Sequence, residues 1–217
     1  MDYVLSNFDL VLRAFWLTIQ LLVLSGLASM VLGTALAAMR VGPVAVLRRV
    51  GMLYVTLVRN TPLLVVFIFV FIAAPELGWF VTTPFVVKGV VAVTIYTSAF
   101  VCEAIRSGVN SVSLGQAEAS RAIGLTFAQS MTNVVLPQSF RAVVPPLASV
   151  LIAMAKNTSV AAAFGLMEAT GRMRYMTNAD ASARPEIFIT FAIGYIIIVE
   201  MMSAGAFSLE RRWKVAR

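Results

Sequence analysis

Apolar residues fall into five long stretches along the chain, and short polar segments separate them. Each stretch approaches the roughly 20 apolar residues that a helix needs to cross a bilayer. The polar segment at residues 106–140 is the longest interior part of the chain that is unsuited to lipid. The pattern predicts an all-α integral membrane protein, with residues 1–217 forming one transmembrane domain. The predicted spans lie at about residues 15–39, 53–74, 86–105, 142–165 and 187–207.

A polar interruption divides the second apolar stretch. It reads Arg59-Asn60-Thr61-Pro62, and the apolar segment that follows is too short to cross a bilayer alone. We predict a broken span in which Thr61 caps the second helix and Pro62 takes its first position. Two interpretations stay open. Either the helix start directs free amides toward a bound carboxylate, or Arg59 extends to the cytoplasmic interface beside a simple proline kink.

Charged residues also lie within the later apolar stretches. Lys156 begins the sequence Lys156-Asn157-Thr158-Ser159 in the fourth stretch, where a lysine costs about 2.5 to 3.5 kcal/mol. We therefore favour a functional role for Lys156 over a structural ion pair. Glu103 and Arg106 are close enough along the third predicted helix to form an ion pair. Glu200 in the fifth stretch is expected to pair internally or to lie near the inner interface, and no function follows for it.

Small residues recur at every fourth position in two of the stretches. Such a series places small side chains on one helix face, where another helix can approach closely. We therefore predict two packing seams. The first seam comprises Ser25, Ser29, Gly33 and Ala37. The second seam comprises Ser149, Ala153, Asn157, Ala161 and Gly165.

Composition excludes several kinds of chemistry. Hydrophobic residues make up 60% of the 217 residues, charged residues make up 12%, and the mean hydropathy is +0.90. The chain has no histidine, which excludes histidine-based catalysis and histidine metal sites. Cys102 is the single cysteine, which excludes an internal disulfide and a thiolate metal cluster. Because no lysine follows a glycine, there is no Walker A loop, and we predict no enzymatic site, metal or cofactor in this chain.

The net charge of +7 and the pI of about 10.2 reflect membrane topology. Basic residues concentrate on the cytoplasmic side of membrane proteins. That bias predicts an external N-terminus, a cytoplasmic C-terminus and a cytoplasmic segment at 106–140, and no nucleic-acid partner is expected. The basic residues assigned to the cytoplasm are Arg40, Arg48, Arg49, Arg106, Arg121, Arg141, Arg211, Arg212, Lys214 and Arg217. Those assigned to the outside are Arg13, Lys88, Arg172, Arg174 and Arg184.

Local signals in the cytoplasmic segment predict two short helices. Ser113-x-x-Gln116 and Thr126-x-x-Gln129 are capping-box patterns, which mark helix starts. Gly124 is expected to separate the two helices, and Pro137 is expected to end the second one. A helix pair outside an otherwise apolar protein suits a docking role, so we expect this segment to bind another protein.

The same segment resembles the EAA loop of bacterial ABC importer permeases. Glu118-Ala119-Ser120 is followed by three residues, Gly124, nine residues and Val134-Val135-Leu136-Pro137, and only Ser120 departs from the family's alanine. The resemblance extends over nearly the whole chain and is nearest to permeases of the polar amino acid uptake family, especially its glutamate branch. Val65-Val66 stands where that family often has glutamine, so side-chain selectivity can differ. The other matching stretches are Arg59-Asn60-Thr61-Pro62-Leu63, Tyr96 with Glu103, Arg106 and Gly108, Leu136-Pro137-Gln138, Lys156-Asn157-Thr158-Ser159 and Leu209-Glu210-Arg211-Arg212.

The resemblance implies a type I ABC importer permease fold in a bacterial cytoplasmic membrane. It further implies a second permease subunit, identical or related, two separate ATPase subunits that use ATP and Mg, and an extracytoplasmic substrate-binding protein. The implied substrate is glutamate or a related polar amino acid. The residues expected to couple to the ATPase are Glu118, Ala119, Ser120, Arg121, Gly124 and Pro137. The residues expected along the substrate path are Arg59, Thr61, Tyr96, Glu103, Lys156, Asn157, Thr158 and Ser159.

Two other function classes compete with this interpretation. An ion-coupled secondary amino acid transporter would use Glu103, Glu200 and Lys156 to couple ions, although the chain shows no internal repeat and only five spans. A membrane enzyme would have to rest on serine, threonine or lysine alone.

Overall fold

The computed structural model describes residues 2–213, with side chains through residue 211, so Lys214 and Arg217 lie outside the described residues. Within that range every regular element is helical and there is no strand, which confirms the predicted all-α architecture. The α-helices are α1 (Asp2–Ser6), α2 (Phe8–Val41), α3 (Ala45–Arg59), α4 (Leu63–Ile68), α5 (Ala74–Glu76), α6 (Phe85–Asn110), α7 (Leu114–Ala122), α8 (Phe127–Ser130), α9 (Leu136–Asn157), α10 (Ala169–Ala179) and α11 (Arg184–Trp213). Two π-helical turns (Phe69–Ala73 and Met131–Val135) and a 3₁₀-helix (Thr158–Phe164) connect some of them.

Four helical segments are long and apolar enough to cross a membrane alone, and a bent helix pair can supply a fifth crossing. Each predicted span overlaps one of these segments. The helices continue beyond the apolar residues because helical backbone satisfies its own hydrogen bonds at any depth. The single segments are Phe8–Val41, Phe85–Asn110, Phe127–Phe164 and Arg184–Arg211, and the bent pair joins Ala45–Arg59 to Leu63–Glu76.

The second span is broken at the predicted place. Helix α3 and the helical segment after it meet at 104°, which is sharper than a proline kink within one helix. The predicted cap is wrong by one position, because Pro62 occupies the N-cap of α4. The Thr61 hydroxyl instead donates to the Leu57 carbonyl oxygen at 2.8 Å, so Thr61 completes the end of α3.

The first predicted packing seam is confirmed. All four of its small residues are buried on α2, which packs along α6. Gly33 allows the closest approach, since a Cβ atom there would lie 2.9 Å from the Ser98 carbonyl oxygen and still closer to Val101.

The second predicted seam is wrong within this chain. Ala161 is buried, but Ser149, Ala153 and Gly165 are exposed. Their small side chains leave room that no other described part of the chain fills, so this face of α9 borders an open groove.

The cytoplasmic helices differ from the prediction in their extent. Helix α8 does not end at Pro137 but continues through a π-helical turn into α9, and Pro137 lies in the first turn of α9. A π turn changes the hydrogen-bond register, and the missing Pro137 amide falls where that register changes. The non-helical part of the predicted loop therefore reduces to short turns around α7.

The two ends of the helical bundle have separate apolar cores. At one end, Val11 and Ala14 of α2 pack with Met176 of α10 and Phe191 of α11. At the other, Leu36, Val55, Ala99 and Cys102 hold α2, α3 and α6 together. Helix α10 lies in a segment predicted to be a polar loop, and it forms because its buried residues complete the first of these cores.

Candidate coupling surface and translocation groove

Two helices and a tight turn form the predicted docking element. The capping box at Thr126 is confirmed, with the Thr126 hydroxyl accepting from the Gln129 amide at 3.3 Å and the Gln129 side chain accepting from the Thr126 amide at 2.9 Å. The capping box predicted at Ser113 is wrong, because its side chain makes no capping bond. The Gln116 amide bonds instead to the Ser113 carbonyl oxygen at 3.1 Å.

Gly124 separates α7 from α8 as predicted. Its φ of +87° lies in the left-handed region that favours glycine, and a Cβ atom there would meet nothing within 4 Å. Backbone conformation, not crowding, therefore requires glycine. The turn closes through a bond from the Leu125 amide to the Ser120 carbonyl oxygen at 3.1 Å.

Ser120, the departure from the EAA pattern, joins the two helices. Its side chain is buried, with Oγ 2.7 Å from the Ala117 carbonyl oxygen and 2.8 Å from Ser130 Oγ. The hydroxyl therefore has partners on both helices and is satisfied despite burial. We name α7, its turn and α8 (residues 114–130) the coupling hairpin.

The outer surface of the coupling hairpin is unusual for a solvent-facing helix pair. Leu114 and Ile123 are 80% and 78% exposed, and Phe127 is also exposed. Glu118 and Arg121 lie among them and form no ion pair in the described part of the chain. Ala119, Gly124 and Pro137 are exposed as well. Apolar side chains exposed together beside free charges indicate a protein-binding surface.

A second cluster lies where α2, α3 and α6 meet. The Glu103 carboxylate accepts from Arg40 Nη1 at 2.7 Å and from Arg106 Nη2 at 2.9 Å. The predicted Glu103–Arg106 pair is thus confirmed, and Arg40 is an additional partner. Arg59 Nη1 lies 3.6 Å from Glu103 Oε1, an ion-pair contact too long for a strong hydrogen bond. One carboxylate therefore serves three guanidinium groups.

An open groove of about 270 Å³ lies between α6 and α9. The Tyr96 and Phe100 rings pack at 5.0 Å in one wall, and the Arg59 guanidinium lies 5.6 Å from the centre of the Phe100 ring. Arg59 is therefore held at the edge of the groove by an aromatic ring on one side and a carboxylate on the other. The groove is lined by Tyr96, Thr97, Phe100, Ser149, Val150, Ala153 and Asn157.

The remaining predicted path residues lie apart from this groove. Lys156 and Ser159 line a second pocket with Thr170 and Tyr195, between α9, α10 and α11. Lys156 has no carboxylate within 4.0 Å among the described residues, so the structural ion pair is not formed within this part of the chain. Thr158 is fully buried and donates to the Ala155 carbonyl oxygen at 2.7 Å, so it shapes the backbone and does not face either pocket.

Two charged residues have structural roles that are not among the predictions. The charge pattern places Arg40 only at the cytoplasmic end of the first span, and nothing local marks Glu103 as its partner. Glu168 is completely buried and accepts hydrogen bonds from the Thr170 and Gly171 amides at 3.0 and 2.9 Å and from the Tyr195 hydroxyl at 2.8 Å. An acidic residue just before a helix start is a recognisable capping signal that could have identified it.

Of the two settings expected for Glu200, only the internal pair can be compared with the structure, and the position near the inner interface stays a prediction. The Glu200 side chain is exposed on α11 and forms no ion pair in the described residues, so internal pairing is wrong for this part of the chain. The described residues also contain no group of three acidic, cysteine or histidine side chains that could hold a metal ion.

Comparison with known proteins identifies the family. The chain is 39% identical to the glutamate transport system permease protein GluC of Corynebacterium efficiens over 216 residues, covering 95% of each chain. It is 34% identical to the probable glutamine ABC transporter permease protein GlnM of Bacillus subtilis, covering 95% of this chain and 94% of that protein. It is 30% identical to the glutamate/aspartate import permease protein GltJ of Escherichia coli, covering 91% of this chain and 85% of that protein.

Solved structures agree with these relatives. A crystal structure of an amino acid ABC transporter with histidines matches with a TM-score of 0.88 and 27% identity, covering 96% of both chains. The inward-facing MetNI methionine ABC transporter shares the fold, with a TM-score of 0.73 and 19% identity over 95% of this chain and 97% of that one. None of the proteins named here is described as a secondary transporter or an enzyme. Residues 12–215 match the family described as "Binding-protein-dependent transport system inner membrane component", and the chain belongs to this family of ABC importer permeases.

Proposed function

We propose that this permease subunit imports glutamate or a closely related polar amino acid, powered by a separate ATPase. The names of the relatives support an acidic or amide substrate, since they include glutamate, aspartate and glutamine permeases. One observation within the chain carries the proposal. The Arg59 guanidinium stands at the edge of an open groove and makes no hydrogen bond shorter than 3.5 Å to the described residues, so its donors are available to a carboxylate.

The Glu103 cluster explains how Arg59 stays available. Arg40 and Arg106 take the short hydrogen bonds to Glu103, and Arg59 keeps only the longer contact. An incoming substrate carboxylate therefore competes with a weak interaction for Arg59. Glu103 acts in this scheme as a positioning residue for the three arginines.

The substrate path runs along the groove between α6 and α9. Tyr96 and Asn157 line it and offer a hydroxyl and an amide for orientation. Lys156 and Ser159 contribute from the neighbouring pocket. Lys156 has no ion-pair partner among the described residues, so it is suited to a second carboxylate. Thr61 and Thr158 hold the backbone at the break in the second span and at the 3₁₀-helix.

The coupling hairpin transmits ATP-driven movement to the spans. Its exposed apolar residues suit a cleft on an ATPase, as do Glu118 and Arg121, which form no ion pair with the described residues. Through α8 the hairpin is continuous with α9, which borders the groove, so movement of the hairpin reaches the groove directly.

The assembly contains two such permease subunits, identical or related, two ATPases that hold the ATP and Mg, and one extracytoplasmic binding protein. The N-terminus and α10 face outward.

Reconstitution tests this function. The permease, its ATPase and its binding protein are incorporated into liposomes, and uptake of labelled glutamate is measured with ATP present and with ionophores added. We expect ATP-dependent, ionophore-insensitive uptake. Arg59→Ala should reduce uptake at least tenfold while assembly and basal ATP hydrolysis remain, because the substrate loses its carboxylate partner. Glu118→Lys should abolish co-purification of the ATPase.

Arg49→Ala is the matched control for Arg59→Ala. Arg49 is an exposed arginine on the same helix, away from the groove, and its replacement should leave uptake unchanged. Normal uptake by both the Arg59→Ala and Lys156→Ala variants, at normal expression, would contradict the assigned substrate path.

A further inference from the structure

A small notch opens at the end of the molecule that lies away from the coupling hairpin. Its volume is about 170 Å³. Its floor is backbone, because Gly171 contacts the Leu166 carbonyl group too closely for any side chain to fit, and Gly165 turns with a φ of +85°. Its rim carries polar groups. The notch is lined by Ala162, Gly165, Leu166, Met167, Gly171, Arg174, Tyr175 and Asn178.

Helix α10 directs its polar face to the notch. Ala169 and Met176 are buried against α2 and α11, which fixes the rotation of the helix. Arg174 and Asn178 are one turn apart on the opposite side and both are exposed. Both residues line the notch, so their donors are accessible from outside.

The rim of the notch carries the positive charge of Arg174, which no described carboxylate balances. No carboxylate among the described residues lies within 4.0 Å of Arg172 or Arg174. Arg172 is not part of the notch lining, and its guanidinium packs over the ring of Tyr175, a rim residue, at 5.4 Å. The nearby acids are already engaged, since Glu168 caps α10 from a buried position and Asp180 accepts from Ser182. The Arg174 guanidinium on the rim therefore keeps its charge and its donors free of any described carboxylate, and a carboxylate from outside can approach it.

The position of the notch indicates which molecule that is. One membrane crossing, the helical segment Phe127–Phe164, separates the coupling hairpin from α10, so the two lie at opposite ends. If the hairpin binds the ATPase, as proposed above, the notch faces the extracytoplasmic side. The family to which the chain belongs is described as binding-protein-dependent. Because an importer takes up its substrate from outside the cell, the binding protein of the proposed importer meets the permease on that side.

We propose that the notch on α10 receives an acidic side chain from the docking surface of the substrate-binding protein. The inference rests on the proposed function and adds the contact residues. Arg174 supplies the charged hydrogen bonds, and Asn178 supplies an adaptable amide. Tyr175 and Met167 supply the apolar rim that interfaces commonly use around such a contact.

A binding measurement with variants of Arg174 tests the proposal. The permease–ATPase complex is placed in nanodiscs, and its affinity is measured for the purified binding protein that stimulates its ATP hydrolysis. We expect Arg174→Glu to weaken binding about tenfold or more, because an acidic side chain would then meet like charge. Arg174→Lys should retain most of the affinity. Raised salt should weaken the wild-type interaction.

Arg13→Glu is the matched control. Arg13 is a largely exposed arginine at the same end of the molecule, it lies outside the notch, and its replacement changes the net charge equally. Its variant should bind with nearly wild-type affinity. If Arg13→Glu and Arg174→Glu weakened binding equally, the loss of affinity would reflect only the overall positive charge at this end of the molecule. That result would overturn the proposal.

Two further outcomes would also overturn the proposal. Unchanged affinity in Arg174→Glu would exclude the notch as the docking site. Loss of the second permease subunit from the Arg174→Glu complex would assign the notch to the contact between permeases.

Unaltered basal ATP hydrolysis shows that the variant is folded. Replacing one acidic residue of the binding protein by arginine should restore binding to Arg174→Glu. If no binding protein associates with the wild type, the proposed function itself fails.

Discussion

At the scale of single residues, Glu168 shows how a carboxylate can be buried without an ion pair. Two backbone amides at the start of α10 and the Tyr195 hydroxyl donate to it. These donors replace water, and the helix terminus adds favourable partial charge. Burial nevertheless dominates and raises the pKa of Glu168 above its usual range. Glu168 therefore connects α10 to α11 through hydrogen bonds whose strength depends on its protonation state, and hence on pH.

This raised pKa predicts a pH dependence of stability. The folded protein holds a proton on Glu168 more tightly than the unfolded chain does. The contribution of this proton to the free energy of unfolding is therefore fully present below the pKa of the unfolded chain. It is lost as the pH rises through the pKa of the folded protein. Glu168→Gln keeps an oxygen acceptor but cannot ionise. We expect the melting temperature of the wild type to fall relative to Glu168→Gln as pH increases from 4 to about 8, measured by thermal unfolding in detergent. A constant difference between the two proteins would contradict the prediction.

The Glu103 cluster illustrates a different balance at the same scale. Three arginines share one carboxylate, and the side chains are 14% exposed for Arg40 but 44% exposed for Arg59. The more buried arginine makes the shorter bond. The arginine with the weaker contact is also the one beside the groove, which is why electrostatic geometry favours Arg59 over Arg40 or Arg106 as a substrate ligand.

At the scale of elements, the coupling hairpin is held by few interactions. Its central turn is set by the Thr126 capping box and the left-handed Gly124, and its two helices are joined through Ser120 and Ser130. The hairpin presents its apolar side chains outward, so it gains little from hydrophobic burial. Local hydrogen bonds therefore contribute a large part of its order.

Ser120→Ala should loosen this hairpin. The change removes the hydroxyl between the helices and leaves the buried Ser130 hydroxyl with one partner fewer, at a cost of about 1 kcal/mol. We expect faster hydrogen–deuterium exchange in α7 and unchanged exchange in α2.

Ser113→Ala is the matched control for that change. Ser113 precedes the same helix, but its side chain is exposed and makes no capping bond. Its variant should exchange like the wild type. Equal acceleration by both substitutions would show that the Ser120–Ser130 contact does not hold the hairpin.

At the scale of the whole molecule, the two ends of the bundle carry different features. The end with the coupling hairpin also holds the Glu103 cluster, and the other end holds α10 and the N-terminal turns of α2. The groove between α6 and α9 lies on the side of the bundle and is open within a single chain. A second permease subunit packed against that side would close it into a path.

Cysteine labelling tests the orientation of the two ends. The one natural cysteine, Cys102, is fully buried and should label poorly. Leu5→Cys and Ile123→Cys introduce exposed thiols at opposite ends. A membrane-impermeant maleimide should modify Leu5→Cys in intact cells and Ile123→Cys only in inside-out vesicles, because positive charge favours the cytoplasm for the hairpin end. The reverse pattern would contradict an external N-terminus.

Several features could be predicted from the sequence because their causes are local. The length of the apolar stretches predicts the spans, and Gly124 and Thr126 predict the hairpin turn from backbone preference and capping. The break near Pro62 follows because proline has no backbone N–H group with which to continue the hydrogen bonding of α3. The exact role of Pro137 could not be predicted in this way, because a π-helical turn accommodates the proline within a longer helix.

The sequence by itself determined the helical membrane class, the number of apolar stretches, the first packing seam and the position of the turn in the hairpin. These depend on the length, spacing and chemistry of neighbouring residues. The tertiary structure alone decided that Arg40 joins Glu103 across 63 positions, that the second small-residue series borders a groove, and that α10 presents a notch. Contacts between distant helices depend on how each helix is rotated and placed, and no local pattern in the chain specifies that rotation.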